Sequence, residues 1–264
     1  MKRFVAFLSG RSSMAVLVIL FLIGCVTNPE TGRRQLLLVP ESEMTQLGLD
    51  SFNQMKKEVP ISKDSSANEM VQRVGKRIAS VVKLPNARWE FVVFESKEAN
   101  AFCLPGGKIG VYTGILPITK DDAGLATVLG HEVAHATLQH GRERMSEAMV
   151  MQGIGEVGGA TLSSSDPKVQ SAVMTVYGLG TQLGRTLPHS RSQEAEADHR
   201  GLVYMAKAGY DPEAAVQFWQ RFTEYGEKAG GSPPKFLSTH PPSAERVQNL
   251  KKWIPEAKAE AQKR

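Results

Sequence analysis

His131-Glu132-Val133-Ala134-His135 places two imidazoles four positions apart, with a carboxylate beside the first. On an α-helix, at about 100° per residue, the histidines stand about 40° apart and a single turn apart, so both can reach one ion. Glu132 projects from the neighbouring edge of that face, where a carboxylate can hold a water and take its proton. Zinc suits this pattern, because it lowers the pKa of its water towards neutrality and a carboxylate base then suffices to generate the nucleophile. The bland alternative is a helix with two histidines and no metal, and a third ligand decides between them.

His140 is nine residues after His131, about 180° round a continuous helix. It is expected on the opposite face, as a solvated or partner-bonded surface histidine. Ser190-Arg191-Ser192-Gln193-Glu194-Ala195-Glu196-Ala197-Asp198 offers more. Glu194 and Asp198 share one face of the next long helix, and Glu196 points the other way. One carboxylate can bind the ion while the other accepts the free ring N–H of a ligand histidine. Alone, an acidic helix start is a solvated face that complements the helix dipole. Beside His-Glu-x-x-His it reads as part of a metal site.

HEVAH followed by SRSQEAEADHRG, preceded by NAFCLPGGKIGVYTG and trailed by STHPPSAERV, resembles the M48 family of zinc metallopeptidases in its soluble, envelope-facing branch. The likeness covers roughly residues 40 to 255 by motif order and spacing. It implies one Zn2+ per chain held by His131, His135 and Glu194, with Glu132 as catalytic base and Asp198 supporting the site. It also implies an α+β, mostly helical, zincin-like domain with a small β-sheet beside the HExxH helix. The edge strand of that sheet would hold an extended substrate, and the region Asn100 to Thr113, with Asn100, Gly106 and Gly107, matches it. The implied activity is endoproteolysis of unfolded or misassembled envelope proteins near the outer membrane. Outer-membrane assembly machinery is a further expected partner. A chaperone or assembly factor with a latent protease site is the alternative. His240, in Ser238-Thr239-His240-Pro241-Pro242, matches the family's His-Pro segment and has two readings. It is a removable fourth ligand that keeps the enzyme latent, or a hydrogen-bond donor to the tetrahedral oxyanion.

The ends of the chain carry a second kind of chemistry. Lys2 and Arg3, the apolar run Met14 to Ile23, and Leu22-Ile23-Gly24-Cys25 resemble a bacterial lipoprotein signal. Residues 1–24 are then a signal peptide, 25–40 a tether lipidated on Cys25, 41–255 the peptidase domain and 256–264 a charged tail. Val26 after the acylated Cys25 fits sorting to the periplasmic face of the outer membrane. Lys2, Arg3 and Arg11 account for three of the 32 basic residues, leaving 29 against 27 acidic, too balanced for nucleic acid as a partner. Cys103 then stands as the remaining thiol, a small buried residue rather than a nucleophile.

The elements that must position these residues follow from periodicity and punctuation. Ser66 and Glu69 have capping-box spacing ahead of the stripe Met70, Val71, Val74, Ile78, Val81 and Val82. Trp89 to Phe94, Asn100-Ala101-Phe102 and Lys108 to Thr113 suggest a small sheet. Asp121 or Asp122 can cap the metal-binding helix. Met149 to Leu187 reads as mobile helices beside the site, Arg191 to about Ala208 as a helix, and a last helix begins near Ser243 and ends before Pro255.

Overall fold

The computed structural model describes residues 25–151, 190–229 and 234–263. Strands β1 (Cys25–Thr27) and β2 (Arg34–Leu36) pair antiparallel, with Cys25 opposite Leu36. They form a hairpin docked on the domain, because Asn28 Nδ2 and Gln35 Nε2 both donate to the Leu138 carbonyl, at 3.4 and 2.8 Å. Helix α1 (Glu41–Glu58) buries Met44, Leu47, Phe52 and Met55. Helix α2 (Ser65–Ser80) buries Val71, Val74 and Ile78 from the expected stripe. Its cap is not the Ser66/Glu69 pair. Asp64 lies upstream, and its carboxylate accepts from the Ala67 amide at 3.1 Å, leaving Ser66 inside the first turn.

Strands β3 (Glu90–Phe94), β4 (Ala101–Leu104) and β5 (Lys108–Tyr112) form one sheet in the order β3-β5-β4, with β5 parallel to β3 and antiparallel to β4. That order makes β4 an edge strand. A single 3₁₀ turn (Thr113–Ile115) leads through α3 (Leu116–Thr119) to α4 (Asp122–Thr137), capped by the Asp121 carboxylate on the Gly124 amide at 2.8 Å. Every residue of α4 from Gly124 to His135 is buried, so it runs through the middle of the domain. Helix α5 (His140–Met151) follows a sharp break, with Gln139 at φ +59°. Beyond Met151, the helices expected over Met149 to Leu187 lie outside the described residues. So do residues 1–24, which carry the signal-peptide reading.

Helix α6 (Arg191–Lys207) starts at a reciprocal capping box, Ser190 Oγ accepting from the Gln193 amide and Gln193 Oε1 from the Ser190 amide, each at 3.2 Å. Helices α7 (Glu213–Ala229), α8 (Lys235–Thr239) and α9 (Ala244–Gln262) complete the description. The expected end of α9 before Pro255, with a charged tail from Glu256, is corrected. The helix runs through Pro255, because Ile254 and Ala257 are buried on either side of it. Glu256 also meets His199 at 3.1 Å, and Lys258 meets Glu213 at 2.7 Å. These contacts offset the amide that proline lacks.

Helices α4 and α6 meet backbone to backbone. A Cβ on Gly130 would stand 3.0 Å from the Gly201 carbonyl oxygen, and one on Gly201 would stand 3.0 Å from the His131 nitrogen. Two glycines at one crossing let the helices approach closely enough for side chains one turn away to meet. The architecture is the expected one, α+β and mostly helical, with a small sheet whose edge strand β4 packs beside α4. Among the described residues, no helix is long and apolar enough to cross a membrane.

Candidate metal centre

One turn of α4 separates His131 from His135, and the glycine crossing brings Glu194 of α6 against both. The α8–α9 loop adds His240. Ligand atoms from His131, His135, Glu194 and His240 all lie within 4.8 Å of one another, and all four residues are buried. His131 Nε2 is 3.0 Å from His135 Nε2 and 3.1 Å from His240 Nδ1. Glu194 Oε1 is 3.3 Å from His135 Nε2 and 2.9 Å from His240 Nδ1. Four donors about 2.1 Å from one ion in a tetrahedron stand about 3.4 Å apart, so these separations suit a single ion.

The hydrogen bonds behind the cluster show why a cation fits. Asp198 Oδ1 lies 2.9 Å from His131 Nδ1, so that nitrogen carries the proton and Nε2 turns a lone pair inward. His135 Nδ1 lies 2.8 Å from His140 Nδ1, whose other nitrogen lies 2.9 Å from Glu196 Oε2. Glu196 only accepts. His140 Nε2 therefore donates to it, His140 Nδ1 accepts from His135 Nδ1, and His135 Nε2 is also left with a lone pair. Two lone pairs and a carboxylate thus converge on one buried point, where a cation, or in its absence a proton on His240 Nδ1, would satisfy them. Burial holds the His131 and His135 imidazoles below their usual pKa, which favours the neutral form that can bind a metal.

Arg246 neutralises the carboxylate side. Its guanidinium reaches Asp198 through Nε at 2.6 Å and Nη2 at 2.7 Å, and Glu194 Oε2 through Nη1 at 2.7 Å. It also lies over the Trp219 ring, 3.5 Å from the centroid. Burial alone would raise the Glu194 carboxyl, but the neighbouring His240 and the Arg246 guanidinium outweigh it and hold the group well below the usual carboxylate range.

Glu132 stands apart from the ligands. Its carboxylate lies 3.3 Å from His240 Nε2, and the Cys103 backbone in β4 favours its charged form. Burial, opposed by His240 and assisted by Glu194, raises its pKa to about 7. Burial also pushes the Cys103 thiol up, so the sulfur is a packed group and not a nucleophile. Asn100 precedes β4, with its side chain accepting from the Ala101 amide at 3.0 Å. Gly106 and Gly107, at φ +80° and +78°, form the turn after the strand. The strand residue that faces Glu132 is Cys103, between them. Glu194 borders a cavity of about 600 Å³, and His135 borders another of about 120 Å³ next to Gly106.

The expectation of a surface His140 is corrected. It is fully buried and hydrogen-bonded to His135, because α4 stops at Thr137 and the chain turns through Gln139 before α5 begins. The phase of one helix cannot be carried across that break. Sequence reasoning also missed the carboxylate-binding role of Arg246, whose signal was its place three residues after the cap Ser243. It set Glu196 aside as the outward residue of its helix, whereas that carboxylate receives His140.

The sequence profile of peptidase family M48 matches residues 65–254. The chain belongs to peptidase family M48. This M48 chain is 39% identical over 187 residues to the mitochondrial metalloendopeptidase OMA1 of Schizosaccharomyces pombe, a match covering 71% of the chain and 53% of that protein. It is 31% identical over 261 residues to the mitochondrial metalloendopeptidase OMA1 of Homo sapiens, covering 94% and 49%. The β-barrel assembly-enhancing protease of Escherichia coli is 23% identical over 253 residues, covering 95% and 52%. The M48 chain spans about half the length of the curated relatives it matches. The expected class, a metal-dependent peptidase, is the class of the family. The expected bacterial outer-membrane location is overturned, since the relatives of higher identity are mitochondrial proteins of eukaryotes.

Proposed function

We propose that this M48 chain is a zinc endopeptidase that cleaves extended segments of unfolded or misassembled proteins and rests with His240 on the metal. The carrying observation is the convergence of His131 Nε2, His135 Nε2, Glu194 and His240 Nδ1 on one buried point, with Glu132 alongside. Imidazole and carboxylate donors in this number favour zinc over the oxygen-loving cations. When bound, zinc acidifies a water and polarises the scissile carbonyl. Glu132 takes the proton of the attacking water and passes it to the leaving amine. Asp198 fixes the His131 tautomer, and Arg246 holds Asp198 and Glu194 in place. Strand β4, which among the described residues pairs only with β5, supplies the edge along which an extended peptide can pair.

The geometry favours the gate over the oxyanion role for His240. An oxyanion donor faces substrate, whereas His240 Nδ1 stands among the metal donors. It is also held there, since its amide bonds to the Phe236 carbonyl at 2.8 Å and its ring lies 4.4 Å from that of Phe236.

The test is cleavage of unfolded casein by the full chain, with and without chelator, beside Glu132→Gln. Chelator-sensitive cleavage that Glu132→Gln abolishes is the expected result. Suppression of aggregation with no cleavage under any condition would favour a chaperone instead.

A further inference from the structure

A line of polar groups runs behind His135, and its role rests on the reading of His135 as a metal ligand. Arg33 ends the turn that joins β1 to β2. Its Nη1 and Nη2 clasp both oxygens of Glu143 on α5, at 2.5 and 2.7 Å, and Gln193 of α6 donates to Glu143 at 2.8 Å. The guanidinium is therefore pinned before its third nitrogen is used. That nitrogen, Nε, donates to Glu196 Oε1 at 2.8 Å, while Glu196 Oε2 receives His140 Nε2 at 2.9 Å and His140 Nδ1 receives His135 Nδ1 at 2.8 Å. His140 is wholly buried, and the Glu196 side chain is 14% exposed.

We propose that Arg33 of the hairpin is a positioning residue for His135, acting through Glu196 and His140 to hold His135 in its metal-binding tautomer. Two neutral imidazoles joined through their Nδ1 atoms have two senses, according to which ring carries the shared proton. In one sense His135 Nδ1 donates and its Nε2 is open to the ion. In the other, His140 donates, His135 carries its proton on Nε2, and the ligand position is closed. A carboxylate on His140 Nε2 selects the first sense, because it draws that ring's single proton to the far side. Arg33 fixes the carboxylate, since one oxygen is committed to the guanidinium and the other is aimed at the ring. The docked hairpin is in this way part of the metal centre, although none of its residues reaches the ion.

The experiment uses the full chain and two readouts, the zinc dissociation constant by competition with a chromophoric chelator and the visible absorption of the cobalt-loaded protein. Glu196→Leu and His140→Leu are expected to weaken zinc binding by about 10- to 100-fold and to move the cobalt bands. His140→Gln, which keeps an acceptor for His135 Nδ1, restores most of the affinity. Arg33→Gln weakens zinc less than Glu196→Leu does and adds nothing in the Glu196→Leu background. If His140→Leu fails to fold, the partly exposed Glu196→Leu decides. Zinc affinity and cobalt bands unchanged in Glu196→Leu would overturn the proposal, as would an undiminished Arg33→Gln effect in that background. A wild-type chain that binds neither zinc nor cobalt would instead remove the metal-centre reading itself.

Discussion

Gly201 of α6 lies against the backbone of His131 in α4, so close that a Cβ on it would stand 3.0 Å from the His131 nitrogen, 3.1 Å from the Gly130 carbonyl carbon and 3.2 Å from the His131 Cα. Three backbone atoms of a buried helix cannot step aside as a side-chain tip can. Gly201→Ala is therefore expected to force the helices apart, destabilising the fold by about 1–3 kcal/mol and loosening zinc. Thermal melts of the metal-free protein and a chelator competition measure the two effects. A variant with wild-type melting and wild-type zinc affinity would show that the crossing does not set the ligand geometry.

Glu132→Gln should fold, keep its zinc and lose about 10²- to 10⁴-fold in kcat/KM, because the amide keeps the shape of the carboxylate but takes no proton. Zinc content by elemental analysis separates this from a lost ligand. For comparison, Glu194→Ala is expected to lose zinc along with activity.

The buried Glu132 carboxyl also predicts a pH dependence of stability in the metal-free protein. Its pKa is raised from 4.5 to about 7 by burial, opposed by His240 and Arg246 and assisted by Glu194. A carboxyl raised on folding contributes fully below its unfolded value, and the contribution is lost as pH rises through the folded one. Wild type should therefore lose stability relative to Glu132→Gln between pH 5 and pH 8, by an amount on the order of a few kcal/mol. Denaturant midpoints of the two proteins at both pH values give the difference. A gap that does not widen with pH would mean that the carboxyl ionises freely in its pocket.

His240→Ala opens the fourth position, so basal cleavage of casein should rise by several-fold while zinc binding weakens modestly. A fall in cleavage at full zinc occupancy would assign His240 to the oxyanion and remove the gate.

The two halves of the candidate site were legible because each is a periodicity within one helix. His131 and His135 share a turn of α4, and Glu194 and Asp198 share a turn of α6. Helical phase pairs the two carboxylates without saying which would take the ion, and that choice came from the family resemblance. What joins the halves was not legible. The glycine crossing and the Arg246 bridge are tertiary contacts between segments with no common period. His140 was misplaced for a related reason. The turn before it is made by Gln139 at φ +59°, where a glycine or asparagine would have announced a helix end and a glutamine does not. Pro255 erred the other way, since a strong local signal was overruled by the burial of Ile254 and Ala257.

Cys103, whose backbone favours the charged form of Glu132, lies in the edge strand β4. Under the proposed function, a peptide that adds to that edge would lie along the same stretch of backbone that tunes the base. Docking a substrate and setting the basicity of Glu132 would then be one event rather than two.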